Sequence, residues 1–358
     1  MKKEGEMNRK KIGVGLVVLV VSVFFLLWAG NPQAIAQAKP SKVFQWKIQS
    51  AWPPPDKFMG YLSGYGQAAQ IVQRVKERTN GGLDIKIFPP NALFKVLEAP
   101  DALKRGALEM LCSSGPYHVN ILPESLLDWG LPYGTKTSEG TAKILLETEY
   151  TAILRKAYAE KHNAYLLGFG SASSYNYITR FPITRLDDLK GKKIRATGTS
   201  AKIASAHGAV PVSLAGAEQY MALQRGTVDG TIFPPYAGLS YKMFEVAKHQ
   251  SWPPVYAAAN INFLVNLNAW NQLPKEYQDI LLEETAKVAK YTYYESGPAL
   301  EKIAIEEGKK QYGVESTWLS DGEFARFQQA VMPLWEEWEK KSPYCTQLIK
   351  IAKESAKK

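Results

Sequence analysis

The apolar and polar positions of the chain alternate between strand and helix periods from residue 43 onward. Val43 to Ser50 (VFQWKIQS) has the period of two expected of a half-buried strand, and stops at Trp52 and three prolines. Phe58 to Arg78 has helical period, with Tyr61, Tyr65, Ala69, Val72 and Val75 on one face and Asn80-Gly81-Gly82 as its stop. Leu83 to Phe88 (LDIKIF) reads as a second strand. A helix from about Ala99 to Arg105 ends at Gly106, and Glu109 to Ser113 (EMLCS) is a third strand. This β-α-β-α-β order predicts parallel strands with right-handed crossovers. It sets Trp52, Lys95, Ser114 and Tyr117 along one edge, where open α/β sheets take ligands.

Pro123 to Gly134 (PESLLDWGLPYG) reads as a loop with a short strand, followed by helices over Ser138 to Thr148 and Tyr150 to Lys161. Strands at Ala164 to Gly170 and Ser174 to Thr179 lead into a second α/β unit, Leu186 to Pro234. Its strand Lys193 to Ala196 carries Arg195. Gly198 and the N-cap types Thr199 and Ser200 open a helix closed by Gly208; a helix from Gly216 to Arg225 precedes the strand Thr231 to Phe233. Gly238 to Ala247 is helical in pattern. Asn260 to Asn266 (NINFLVN) is a strand that returns the chain to the first sheet. Pro274 opens a long helical region, Lys275 to Gly308, with a break near Gly297-Pro298. Val314 to Trp318 is a last strand. Gly322 to Lys340 is amphipathic, and its Phe324, Phe327, Val331, Trp335 and Trp338 are expected to be core. A chain that leaves one α/β unit, builds a second and returns predicts two lobes, a cleft between them and hinge-bending closure on a ligand.

Composition changes this picture mainly at the start. Met1 to Lys11 is basic, Ile12 to Ala29 is almost continuously apolar, and Ala34-Ile35-Ala36 and Ala36-Gln37-Ala38 fit a small-x-small cleavage site. Residues 1–38 are therefore expected to be a cleaved export signal, with an uncleaved membrane anchor as the alternative, and the remaining protein to be periplasmic. The formal charge is +10; removing the segment's five basic and two acidic residues leaves +7 for the rest. That excess is spread along the chain without a run of five like charges, so no nucleic-acid surface is indicated. Cys112 and Cys345 lie far apart, in an apolar strand pattern and a polar C-terminal stretch, and are expected neither to pair nor to act in catalysis.

Catalytic constellations are missing from the pattern. His118, His162, His207 and His249 are isolated in sequence, with no metal-ligand spacing; His207, before a helix-stopping glycine, reads as solvated or capping. Gly168-Phe169-Gly170 lacks the third glycine of a dinucleotide fingerprint. Glu283, Glu284, Glu306 and Glu307 read as exposed helix faces. Neither an enzyme nor a cofactor is indicated. For Arg195 the spacing leaves two readings. In one it is an anion site at a strand end beside a helix N-terminus; in the other Lys192, Lys193 and Arg195 are all simply solvated.

Longer motifs add a resemblance. DLKGKKIRATG and GAVPVSLAGAEQYMALQRGTVDGTIFP, with TNGGLDIKIFP, ALKRGALEM, ILPESLLDWGLPYG, FEVAKH and FLVNLNAWNQLP in order, resemble the solute-receptor subunit of tripartite ATP-independent periplasmic (TRAP) transporters. The family pattern runs roughly DLKGxKIR, then LGAxPVxxxxxExYxALQxGxVDG. The resemblance implies a bilobed, periplasmic-binding-protein-like α/β fold of two open, mostly parallel sheets, with a long helix spanning both lobes. The expected division is 39–172 for the first part of lobe I, 173–258 for lobe II, 259–290 for the return to lobe I, and 291–358 for lobe II with the C-terminal helices. It implies that the arginine of KIR, here Arg195, binds the carboxylate of an organic acid, and that the partners are a small-molecule carboxylate and the transporter's membrane subunits. Other pocket positions fall near Trp52, Ser114, Tyr117, Tyr175 and Asn260. The family's DGxENP stands here as Asp229-Gly230-Thr231-Ile232-Phe233-Pro234, so a Glu-Asn pair is replaced by Ile232 and Phe233. Losing charged and amide groups while gaining aromatic ones suits a monocarboxylate with an apolar or aromatic body. A small 2-oxo or hydroxy acid, and a sensory receptor role, stand as alternatives.

Overall fold

The computed structural model describes residues 40, 42–55 and 63–355; the expected export segment and the start of the first helix lie outside them. Among the described residues the strands are β1 (Phe44–Ser50), β2 (Leu83–Phe88), β3 (Met110–Ser113), β4 (Ala164–Ser171), β5 (Asn176–Thr179), β6 (Lys193–Arg195), β7 (Val210–Val212), β8 (Gly230–Phe233), β9 (His249–Trp252), β10 (Asn260–Asn266) and β11 (Glu315–Trp318). They form two sheets, ordered β2-β1-β3-β10-β4 and β11-β9-β5-β8-β6-β7. β1 runs parallel to β2 and β3, as the β-α-β-α-β pattern requires, while the returning β10 is antiparallel to both β3 and β4. The second sheet is also mixed: β6 is parallel to β7 and β8, but β5 is antiparallel to β8 and β9.

Each sheet is covered on both faces, which gives the lobes separate cores. Below the first sheet lie Ala68, Ile71 and Val75 of the helix Gly64–Arg78, with Leu281 and Val288 of the long helix. The buried stripe of the first helix is thus rotated from the expected one, because Tyr65, Ala69 and Val72 sit on its flank. Above the sheet, Leu103, Leu154, Tyr158 and Leu166 form the other core. In the second sheet Tyr177, Ile194 and Ile232 face one core and Ile178 the other, the period of two at work within single strands.

Among the described residues, four connections join the lobes. Two are the segments between β4 and β5 and between β9 and β10, which meet where Tyr175 bridges to Tyr256. The third is the long helix, Lys275–Tyr291 and Gly297–Tyr312, joined by a π-helical turn at Thr292–Ser296. Its break falls where Pro298 has no N–H to give. The first half packs in the first lobe, whereas Gly308 lies so close to Phe244 of the second that a β-carbon would come within 2.9 Å of the ring. The fourth is the helix Asp321–Glu339. Its Phe324, Phe327 and Val331 lie in the second core and Trp335 and Trp338 in the first. The last helix, Pro343–Ser355, then puts Cys345, Leu348 and Ile349 into the first lobe's core. This helix therefore packs on lobe I, not lobe II, because the 19-residue helix before it is about 28 Å long and reaches across.

Other expectations change in detail. Pro123 to Gly134 holds a short helix, Ser125–Asp128, where a strand was expected. β9 is a strand that the pattern did not mark. Gly198, with φ of 54°, is the cap of the helix Thr199–Ala206, so Thr199 and Ser200 are its first residues, not its caps.

Candidate functional site

β6 is short, and its alternation decides where Arg195 points. Ile194 is buried in one core of the second lobe, so Arg195 emerges on the opposite sheet face. β8 repeats the arrangement: Ile232 is buried beside Ile194, and Thr231 pairs in register with Arg195. Phe233 therefore shares the arginine's face, and the Arg195 guanidinium carbon stands 5.5 Å from its ring centroid, a cation–π contact. Of the two residues in place of the family's Glu-Asn pair, Ile232 belongs to the core and Phe233 lies beside Arg195.

Arg195 is only 8% exposed. Its Nε and Nη2 both donate to the Leu214 carbonyl, at 3.1 and 3.0 Å. That carbonyl uses one edge of the guanidinium and leaves the end-on edge, Nη1 with the second Nη2 hydrogen, to form the two parallel bonds that a carboxylate accepts. Among the described residues no acidic side chain pairs with Arg195. Burial lowers its pKa and the neighbouring Tyr175 phenol opposes this; a guanidinium stays charged regardless.

Tyr175 stands on the crossover from the first lobe, edge-on to Phe233 at 6.1 Å. Burial pushes its phenol up, with contributions from Tyr117 and, in the opposite sense, from Arg195. Tyr117 comes from the first lobe, on the 3-10 turn Gly115–Tyr117 that ends β3. The structure thus brings Arg195, Tyr175 and Phe233 together, with Tyr117 of the first lobe close enough to Tyr175 to raise its phenol pKa. Two rings complete the group that the sequence did not single out. Trp129 is edge-on to Tyr175 at 5.7 Å and Tyr241 edge-on to Phe233 at 6.1 Å. Trp129 sits inside the motif ILPESLLDWGLPYG, which was the available signal.

The remaining positions are engaged within the first lobe. The Trp52 ring lies over Gly64, where a β-carbon would come within 2.2 Å of it. Ser114 is buried and its carbonyl accepts the Tyr117 N–H at 3.1 Å. Asn260 donates to the Asp128 carbonyl at 2.7 Å and accepts from the Tyr293 hydroxyl at 2.6 Å. Lys95 is exposed and paired with Glu98.

Three readings of isolated polar residues are overturned. His118 and His162 are a buried pair, ring nitrogens 2.9 Å apart, with Ser113 Oγ 3.0 Å from the other side of His118. Burial holds both imidazoles well below the usual range. His207 is neither solvated nor a cap by side chain: it is buried between the Tyr177 hydroxyl at 2.8 Å and the Phe327 carbonyl at 3.2 Å. Glu284 is 1% exposed and binds Arg78 and Lys287 at 2.8 and 2.7 Å. Cys112 and Cys345 are free and buried in different cores.

Residues 63–341 match the family described as bacterial extracellular solute-binding protein, family 7. A C4-dicarboxylate-binding periplasmic protein of Rhodobacter capsulatus is 31% identical over 278 residues, which cover 75% of this chain and 80% of that one. A monocarboxylate 2-oxoacid-binding periplasmic protein of a Nostoc species is 28% identical over 292 residues, 80% of this chain and 76% of that one. An open, ligand-free TRAP periplasmic solute-binding protein of Rhodobacter sphaeroides superimposes with a TM-score of 0.76 at 20% identity, over 87% of this chain and 98% of that one. With its two lobes and buried arginine, the chain belongs to family 7 of the bacterial extracellular solute-binding proteins, the non-enzymatic substrate-binding subunits of TRAP transporters.

Proposed function

We propose that this protein captures a monocarboxylate with an apolar or aromatic body in the cleft between its lobes and delivers it to the membrane subunits of a TRAP transporter in the periplasm. The observation that carries the reading is the state of Arg195. Its end-on edge lacks an acidic partner among the described residues, and Phe233 and Tyr175 stand beside it, with Tyr117 acting on Tyr175 from the first lobe. A second arginine or an amide would be expected beside it for the distal carboxylate of a diacid. The Phe233 ring takes that place instead. The relative named for monocarboxylate 2-oxoacids supports the same class, while the one named for C4-dicarboxylates supports organic acids in general.

The test is titration calorimetry with pyruvate, phenylpyruvate, benzoate and succinate on the wild type and on Arg195→Ala and Arg195→Lys. Loss of two charge-assisted hydrogen bonds weakens binding of the preferred acid by roughly a hundredfold or more. Arg195→Lys recovers the charge but not the fork. Equal affinity of wild type and both variants would refute the clamp, and a preference for succinate would refute the monocarboxylate class.

A further inference from the structure

A buried polar cluster beneath the Gly115–Tyr117 turn takes no part in the clamp just described. Its centre is Asp128, 1% exposed, at the end of the helix Ser125–Asp128. Asp128 Oδ2 accepts from the Tyr158 hydroxyl and from Asn262 Nδ2, the latter at 3.0 Å. The other oxygen faces Gly115. A β-carbon built on that glycine would stand 1.9 Å from Asp128 Oδ1 and 1.8 Å from the Ser125 carbonyl. The carboxyl group therefore fills the space that any side chain at 115 would need, with Oδ1 buried against the turn; burial raises its pKa to about 7, against the opposing hydrogen bonds of Tyr158 and Asn262 and the smaller pull of the Gly115 N–H. The turn is fastened again just beyond Tyr117, where His118 meets Ser113 and His162.

The same cluster reaches the connections between the lobes. The Asp128 carbonyl accepts Asn260 Nδ2, at the start of β10, and Asn260 Oδ1 accepts from Tyr293. Tyr293 lies on the π-helical turn of the long helix, with its hydroxyl also 3.2 Å from the Gly170 carbonyl of β4. A contiguous set of hydrogen bonds thus runs from Asp128, packed beneath the cleft turn, to the helix that both lobes share.

We infer that Asp128 is a positioning residue for the ligand site: it packs beneath and fixes the Gly115–Tyr117 turn, which carries Tyr117 toward Tyr175 of the crossover, and ties that turn through Asn260 and Tyr293 to the long helix. The inference rests on the receptor reading only in taking Tyr117 as part of the site. The attachment of the turn to Asp128 is independent of which acid binds.

The experiment is amide hydrogen exchange followed by mass spectrometry on the ligand-free protein, comparing wild type with Asp128→Asn. The amide puts an N–H against the Gly115 N–H or, if rotated, against the Asn262 donor. Exchange in a peptide covering Gly115 to His118 is expected to rise roughly tenfold, as a repelling N–H placed against a buried donor does to a local opening. Peptides over β6 and β7 are expected not to change. Unchanged exchange at Gly115 to His118 would overturn the inference, and so would equal acceleration in both lobes, which would make Asp128 a support of the whole fold. Should Asp128→Asn fail to fold, Tyr158→Phe keeps the carboxylate, removes one donor, and is read in the same peptide with the same two refuting outcomes. A second arm titrates pyruvate and phenylpyruvate: Asp128→Asn is expected to weaken the better of the two roughly tenfold with Arg195 intact. Undiminished affinity refutes the positioning role. If neither acid binds the wild type, the receptor reading for these acids fails, and the exchange result decides the attachment by itself.

Discussion

Glu301 sits on the second half of the long helix and touches the crossover between β4 and β5 at Ser174. The residue is partly buried, with its carboxyl end inside, and burial lifts its pKa from 4.5 to about 7 against the opposing hydrogen bonds of Ser174. The sign follows from proton binding. The folded chain holds this proton more tightly than the unfolded chain, so the contribution to stability is full below pH 4.5 and is lost as pH rises through about 7. At about 1.4 kcal/mol per pH unit, the gap between the two values is worth about 3 kcal/mol. Glu301→Gln removes the titration and keeps an acceptor for Ser174. It should therefore be more stable than wild type at pH 8.5 by up to about 3 kcal/mol, with the gain vanishing near pH 4.5. Urea unfolding of both proteins between pH 4.5 and 8.5 measures this. Asp128, whose pKa burial also raises to about 7, adds a slope of the same sign to both proteins and cancels in the difference. A difference that is the same at pH 5 and pH 8 would refute the reasoning.

Further outcomes follow from close contacts and buried charge. Gly115→Ala forces a β-carbon against the Ser125 carbonyl and Asp128 at under 2 Å, and should cost about 3 kcal/mol or more by urea midpoint. Glu284→Ala strips the buried partner from Arg78 and Lys287, which are 36% and 56% exposed in their side chains and can return to water. The loss should be about 1–2 kcal/mol, below that of a fully buried pair. Burial tends to raise the Glu284 pKa, but Lys287 and Arg78 outweigh it and hold it below 4.5; their contribution should therefore fade as pH falls through that range, seen in acid unfolding of wild type against variant. Cys112 and Cys345 are fully buried, and burial pushes both thiols up. Neither should react with a disulfide reagent before the protein unfolds; labelling within minutes under native conditions would contradict their burial.

The fold was legible where burial is periodic. β1, β2, β4 and β10 lie within a residue or two of the places where apolar alternation or an apolar run set them, because each spans a sheet whose sides are greasy. The division of the C-terminal region was not legible. Phe324, Phe327, Val331, Trp335 and Trp338 announce one buried stripe, but nothing in that spacing says that its two halves enter different cores. β9 escaped for the opposite reason. His249, Gln250 and Ser251 are polar residues inside a sheet, tolerated because the partners lie on other strands, as when Gln250 Nε2 donates to Ser316 Oγ at 2.9 Å.

The same distinction separates the parts of the site. The orientation of Arg195 follows from residues near it in sequence: Ile194 turns it away from one core, and Leu214 follows one strand later to accept its Nε and Nη2. The polar cluster behind Tyr117 does not follow in this way, because its pairs are 44 residues apart for His118 and His162 and 134 for Asp128 and Asn262. Burying an unpaired imidazole or carboxyl group costs several kcal/mol, so nothing in the local sequence marks this cluster until the distant partners are known. The chain thus sets Arg195 at a strand end and the polar cluster behind Tyr117 on long-range contacts. The first is therefore written in a contiguous motif, and the second only in the folded chain.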